Sequence, residues 1–554
     1  MRGTLYRMRM LVVSLFHGRA NRTVGGAALV IAVFGVVSRL LGFVRDRILA
    51  GTFGAGDVLD AYYAAFRIPD FLYGLLVAGA LSAAFVPVFT ELREKKDEKS
   101  AWELASGVLL LLLLLLGVVS LFSAIFAAPI IRAIVPGFSP EKQLLSTSLT
   151  RVMLLGPLFL GMSAVFGSVL VSFRNFIVFS LAPVFYNVGI ILGAVVFSRF
   201  FGPIGLAMGV VLGTLLHALV QYPSVRKAGF AFSFRAAIAT NREVWRVVRL
   251  MVPRSLGIAV GQVSFLVVTF FASVLASGTL SAFTLANNIQ SVPIGLFGVA
   301  FSLAAFPALS GFAVKDERRR FSDMLMKTSR KVLFFVIPVS FMMIALRAQI
   351  VRVILGTGHF DWEDTRITFE ILGALSLSLF AQSLIPLFAR AFFSLQDTKT
   401  PLLLAAFSEA IHIAVLAFFV GKWGPISLAV SFSVASTVNA ALLYLFLRKR
   451  VEGWNDREFF ISTSKVTLAS LAALLAVQFG KFSFGLGNVE LDTFFVVFSE
   501  LLLSGTLGVA TFIAVAWMLK IEELESVRRF IVSRFLKQPQ LLKEAEEESS
   551  RPMV

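Results

Sequence analysis

Four charged residues in and beside the first long apolar stretch stand out as potential chemistry. Residues 24–44 read VGGAALVIAVFGVVSRLLGFV and run directly into Arg45-Asp46-Arg47. As a helix this stretch is long enough to cross a hydrocarbon core, yet Arg39 lies inside it. A cation at such depth costs roughly 3 kcal/mol or more unless it faces a wet cavity or a partner. Arg39 and Asp46 are seven residues apart and share a helical face, with Arg45 about 120° round from Arg39. Two readings follow. One is an internal Arg–Asp pair, or an arginine that snorkels to the headgroups. The other is a cationic cavity for an anionic ligand, and the rest of the chain favours it.

The elements that must position these residues are membrane helices. Of 554 residues, 57% are hydrophobic and only 15% charged, and the mean hydropathy is +0.85. Soluble domains carry about 25% charged residues, and an uninterrupted apolar run such as 108–116 has no place on a water-facing surface. A transmembrane β-barrel would show short alternating segments instead. The expectation is an all-α polytopic membrane protein. Its net charge of +18 sits mostly in short loops, where basic residues set topology, so nucleic acid is not expected as a partner. Cysteine is absent and the four histidines are scattered, which excludes disulfides and thiolate sites and leaves no metal-ligand spacing. No cofactor is expected. The first stretch is too long for a signal-peptide core and reads as a retained span.

Apolar windows place about fourteen spans, near 24–44, 62–90, 102–127, 146–173, 176–198, 203–222, 248–276, 280–312, 331–355, 366–394, 401–421, 425–447, 463–480 and 493–519. About 36 of the 51 Lys and Arg fall on the side of the N-terminal arm and the tail. That distribution places both termini in the cytoplasm. The expected segments are a basic arm (1–23), an N-lobe (24–225), a C-lobe (226–450), a helix pair (451–519) and a cytoplasmic tail (520–554).

An internal duplication underlies the two lobes. Gly202-Pro203-Ile204-Gly205-Leu206-Ala207 matches Gly424-Pro425-Ile426-Ser427-Leu428-Ala429, and each continues through a span to a basic exit. Six spans, an even number, separate the copies, so the repeat is parallel. Two parallel six-helix lobes around a central cavity, plus two C-terminal helices, make a transporter's architecture, with ligand held at the repeat interface. In this register the first lobe carries the charge: Arg39, Arg45, Asp46, Asp60, Arg67 and Asp70. The second offers neutral groups, Asn287 and Asn288, with Arg254 its nearest cation. Such asymmetry suits a ligand with an anionic head and a hydroxyl-rich portion, and arginine's planar fork suits phosphate. Arg254 reads equally as an interfacial anchor.

The run SRLLGFVRDRILAGTFGAGDVLDAYYAAFRIP, followed by GALSAAFVPVF, closely resembles the start of the MurJ (MviN) family of lipid II flippases, within the MOP exporter superfamily. Two later stretches agree, IGLFGVAF at 294–301 and RAFFSLQDTKTP at 390–401. The resemblance covers essentially 24–450. It implies fourteen spans and a cavity that carries undecaprenyl-diphosphate-linked peptidoglycan precursor (lipid II) across the bacterial cytoplasmic (inner) membrane. Spans thirteen and fourteen would provide a groove for the lipid tail. The family's cavity positions match Ser38, Arg39, Arg45 and Asp46, its following acidic residue matches Asp60, and the basic residue opening its second span matches Arg67. The chain departs from proteobacterial relatives at Tyr73-Gly74, where they carry an Arg pair. It departs also at Ala78, where they carry an acid, and at Asn288, where they carry an Arg; Arg67 and Arg254 are the residues that could compensate.

The turn Gln396-Asp397-Thr398-Lys399-Thr400-Pro401 reads as a hinge or gate contact, with Gln396, Asp397, Lys399 and Pro401 as its key positions. Glu409 and His412, three apart inside the eleventh span, could bind a coupling proton or could be a mutually satisfied pair. The expected function is a non-enzymatic flippase for lipid II that works by alternating access, with lipid II, membrane lipids and wall-synthesis proteins as partners. Two alternatives belong to the same superfamily, a flippase for another polyprenyl-linked oligosaccharide and a multidrug exporter. A polyprenyl-processing enzyme would need a nucleophile or an acidic metal cluster, and Asp57 with Asp60 lacks a third member.

Overall fold

A computed structural model of the chain describes residues 24–76, 80–95, 97–234, 242–486 and 493–535. Every regular element among the described residues is helical. In chain order the helices used below are α1 (Val24–Phe53), α2 (Asp57–Ala65), α3 (Arg67–Leu76), α4 (Pro140–Met153), α5 (Phe176–Leu192), α6 (Ile204–Leu219), α7 (Arg242–Ser273) and α8 (Thr279–Pro293). They continue with α9 (Arg318–Ala345), α10 (Leu379–Ser394), α11 (Lys399–Trp423), α12 (Ile426–Arg450), α13 (Asp456–Leu486), α14 (Phe494–Met518) and α15 (Glu522–Phe535).

Ten helices of the described residues are long and apolar enough to cross a membrane, or eleven if 362–376 and α10, bent by 49° at their break, form one span. About fourteen were expected. Helix α1, the run of α2, α3 and 80–94, and α7 stand at the first, second and seventh expected spans and lie outside that count. The protein is therefore an all-helical, multi-pass membrane protein.

The described residues form two compact units, one within 24–289, 354–371 and 409–431, the other within 290–353, 372–408 and 432–535. In the first unit, α5 and α6 meet through glycines spaced four apart, Gly189 and Gly193 on one helix side, Gly205, Gly209 and Gly213 on the other. A methyl added at Gly189 would lie 2.2 Å from the Gly213 Cα, and one at Gly209 would lie 2.4 Å from the Gly193 Cα. Without a hydrophobic drive between helices in lipid, such close backbone approach supplies the packing energy. A second core gathers Phe85, Phe89, Trp102, Phe166 and Phe230 with Leu81, Leu104 and Val165.

The second unit is pinned by one buried arginine. Arg330 of α9 donates Nε to Glu523 of α15 at 2.6 Å and Nη2 to Glu522 at 2.6 Å, and its Nη1 reaches Glu458 of α13. The cation costs solvation that three carboxylates offset, and the contact fixes where α15 leaves the last long helix.

Helix ends obey local chemistry. Gly202 and Gly424, the matched glycines of the duplicated motif, both take a left-handed φ (59° and 56°), and the Pro after each precedes the next helix. The same sequence thus builds the same turn twice. Among the described residues, four that are not glycine also have positive φ: Arg174, Asp316, Gln396 and Lys520. At each, the next residue's N–H reaches back five positions, to Leu170, Phe312, Phe392 and Ala516 in turn, the hydrogen bond that closes a Schellman helix end.

Gly209→Val should lower the thermal unfolding midpoint of the purified protein by several degrees, an overpacking cost of about 1–3 kcal/mol. Gly35→Val, where an added carbon meets nothing within 4 Å, should leave it unchanged.

Candidate functional site

The charged end of α1 lies in the first unit and is answered from two other helices. Arg45 donates Nε (2.9 Å) and Nη2 (2.8 Å) to Asp46 Oδ1, and Nη1 (3.1 Å) to Asn187 Oδ1 of α5. Asp46 is 3% exposed, and its second oxygen accepts from Asn288 Nδ2 of α8 at 3.0 Å. Asn187 in turn donates to the Ser38 carbonyl and to its own helix at Pro183. Three of the guanidinium's five N–H donors are thereby used, and two remain for an anionic oxygen. The Arg45 side chain is 21% exposed. Ser38, Arg39 and Arg47 are half-buried along the same helix.

Arg67, which opens α3, is buried. Its Nε donates to Thr269 Oγ1 of α7 at 2.7 Å, and its guanidinium sits 5.4 Å from the centre of the Phe265 ring. Asn287 is half-buried beside Asn288. The side chain of Arg254 lies outside the described residues.

Asp60 stands apart from these arginines. It is 1% exposed and its carboxylate is filled by Lys142 Nζ (2.8 Å), Gly278 N (2.8 Å), Ser281 N (2.8 Å) and Ser281 Oγ (2.7 Å). It thus caps the start of α8 while neutralising a buried ammonium from α4. Asp57, one turn earlier, accepts from Lys142 (2.7 Å) and Ser277 (2.6 Å). These bonds hold its carboxyl below the usual carboxylate range. Its contribution is present above the ordinary carboxylate pKa and is lost only as pH falls through the lowered folded value. At 68% exposure that contribution is small. The same loop is held at two further points. His359 N donates to Gly51 O (2.9 Å), and Ala55 N donates to Asp364 Oδ2 (2.8 Å). Gly358 allows this approach, because at φ 58° an added Cβ would meet Gly51 O at 2.2 Å. Residues 51–60 are therefore the hub on which three other interhelical connections converge.

Glu409 and His412 of α11 form a pair, Oε1 to Nδ1 at 3.0 Å, and Ser264 of α7 donates to the other Glu409 oxygen. In the second unit, Asp397 accepts from Lys399 N (3.0 Å) and Thr400 N (2.9 Å), which makes it a side-chain cap at the head of α11, and Arg450 of α12 pairs with it. Burial pushes the Asp397 carboxyl up, but the Thr400 and Arg450 contacts outweigh that and hold it below its ordinary range. Pro401 follows in the first turn of α11, and Gln396 holds the left-handed φ of the turn.

A family model described as "Lipid II flippase MurJ" matches residues 49–498. This chain belongs to the MurJ family. Among its curated relatives, the probable lipid II flippase MurJ of Thermotoga maritima is 30% identical over 498 residues, covering 89% of this chain and 96% of the relative. That of Vibrio cholerae is 31% identical, covering 78% and 84%. Among solved structures, a lipid II flippase MurJ in an inward closed conformation superposes with a TM-score of 0.73 at 26% identity, covering 88% of this chain and 98% of that one. A multidrug-resistance transporter of the MATE family, at 17% identity and a TM-score of 0.63, shares the fold with the MurJ family.

The sequence reading missed Asn187 and Lys142 as site members. An amide inside the apolar run of α5 was the available signal for the first; the second stood out only as a basic residue on the sparsely charged side.

Removing one partner of the buried Asp60–Lys142 pair should cost about 3–5 kcal/mol. Asp60→Asn and Lys142→Met should therefore each lower thermal stability clearly, and the double variant should lose less than their sum. Additive losses would show that the pair is not coupled.

Proposed function

We propose that this chain translocates lipid II, the undecaprenyl-diphosphate-linked peptidoglycan precursor, across the cytoplasmic membrane by alternating access, with both termini in the cytoplasm. Membership of the MurJ family over residues 49–498 is the observation that carries this reading. Arg45 grips the diphosphate through its two uncommitted donors, with Arg39, Arg67 and Arg254 contributing positive potential and Ser38, Asn287 and Asn288 polar contacts. Asp46 orients Arg45 and keeps its guanidinium planar to the ligand. The likeness to the drug exporter is one of fold alone, and an arginine-bearing site suits an anion rather than a cationic drug.

Asp60 acts as a latch. The basic-residue distribution puts residues 51–60, 142, 277–281 and 358–364 on the outer face. With their contacts formed, the outer end is closed, and release of the head group requires Asp60 to exchange Lys142, Gly278 and Ser281 for water. Gln396, Asp397, Lys399 and Pro401 form the hinge at the opposite face. Coupling falls to Glu409 and His412, where a cation taken up at the carboxylate would compete with Ser264. Wall-synthesis proteins are the expected partners beyond lipid II and membrane lipids.

Complementation of a bacterium depleted of its own lipid II flippase tests this. Wild type should restore growth, while Arg39→Ala and Arg45→Ala, at equal membrane levels, should fail or support at most a tenth of the viable count. Rescue by all three would remove the arginines from the mechanism. Failure of a correctly inserted wild type would point to a different polyprenyl-linked glycan.

A further inference from the structure

A carboxylate within the second expected span has no role in the site so far. From residue 58 to residue 75, Asp70 is the only exposed position; its neighbours Ile68, Pro69 and Leu72 are buried. Exposure in a membrane-spanning segment means either lipid or a wet cavity, and a carboxylate facing lipid is strongly disfavoured. Asp70 is exposed although the residues on both sides of it along α3 are buried or half-buried. It therefore faces internal space. Its carboxylate makes no side-chain hydrogen bond or ion pair among the described residues, whereas Asp46, Asp57 and Asp60 are all engaged. Arg67, one turn earlier, lies within electrostatic reach of Asp70 but gives its Nε to Thr269 and sits over the Phe265 ring. Tyr186 of α5 lies within electrostatic reach of both Arg45 and Asp70.

A ligand that satisfies both charges must carry an anion and a cation. We propose that Asp70 is a specificity site for a primary ammonium on the peptide portion of the head group, read while Arg45 holds the diphosphate. This rests on the lipid II reading. An ammonium three residues along an extended peptide lies about 10 Å from its attachment point, a reach that suits two charges both within electrostatic reach of one tyrosine. Aspartate, ionised and acceptor-only, pairs with an ammonium's three donors, and a neutral amide on the ligand forfeits that interaction.

The full chain, reconstituted in liposomes, is assayed with lipid II bearing a free side-chain amine and with the same lipid acetylated on that amine. Wild type should show an apparent KM at least five-fold lower for the free amine. Asp70→Asn should raise the free-amine KM to the acetylated value and leave the acetylated substrate unchanged, and Asp70→Glu should restore the preference. Equal loss on both substrates would assign Asp70 a structural role and overturn the proposal, as would an unchanged preference in Asp70→Asn. Transport of neither lipid by wild type would overturn the flippase reading and this one with it.

Discussion

An ion placed among membrane-spanning helices survives only where a counter-ion and hydrogen bonds replace the water it lost, and the first unit is arranged around that constraint. Arg45 and Asp46 adjoin in sequence and would still leave an unfilled carboxylate oxygen and an unfilled guanidinium edge. Asn187 from α5 and Asn288 from α8 fill them. Each amide is an acceptor or donor without net charge, so the pair is held in place and not neutralised further. Two guanidinium N–H donors of Arg45 stay uncommitted.

The same constraint recurs at Asp60 with the opposite outcome. There four donors converge on one carboxylate, two of them backbone N–H groups at the start of α8, and nothing remains for a ligand. Carboxylates of similar burial are thus filled differently: Asp46 by its neighbour Arg45 and one amide, and Asp60 by an ammonium, two backbone N–H groups and a hydroxyl. In the second unit one buried cation, Arg330, lies among Glu458, Glu522 and Glu523.

Much of this was legible in the sequence. Long apolar runs dictate membrane helices because no other element satisfies its own backbone in lipid. The Gly-Pro-Ile motif at 202–204 and 424–426 announced a repeat, and both copies form one turn because only glycine takes that φ cheaply. Arg45, Asp46 and Arg67 stood out as charges where charge is costly. Lateral neighbours were not legible. The partners of Asp60 lie 82 to 221 residues away, and helical periodicity says which face a residue occupies but not which helix covers it. Face geometry also grouped Asp46 with Arg39, whereas Asp46 takes its chain neighbour Arg45, whose long side chain folds back across the helix surface. Breaks inside the expected spans, among them Phe66, 154–155, Leu346 and 377–378, carry little composition signal because apolar residues continue through them.

The most direct test is the affinity of the nanodisc-embedded protein for lipid II, measured for wild type, Arg45→Lys and Arg45→Ala. If Arg45 holds the diphosphate through its planar fork, alanine should weaken binding at least ten-fold. Lysine, which keeps the charge and loses the fork, should fall between. Equal affinity in all three proteins would contradict the account.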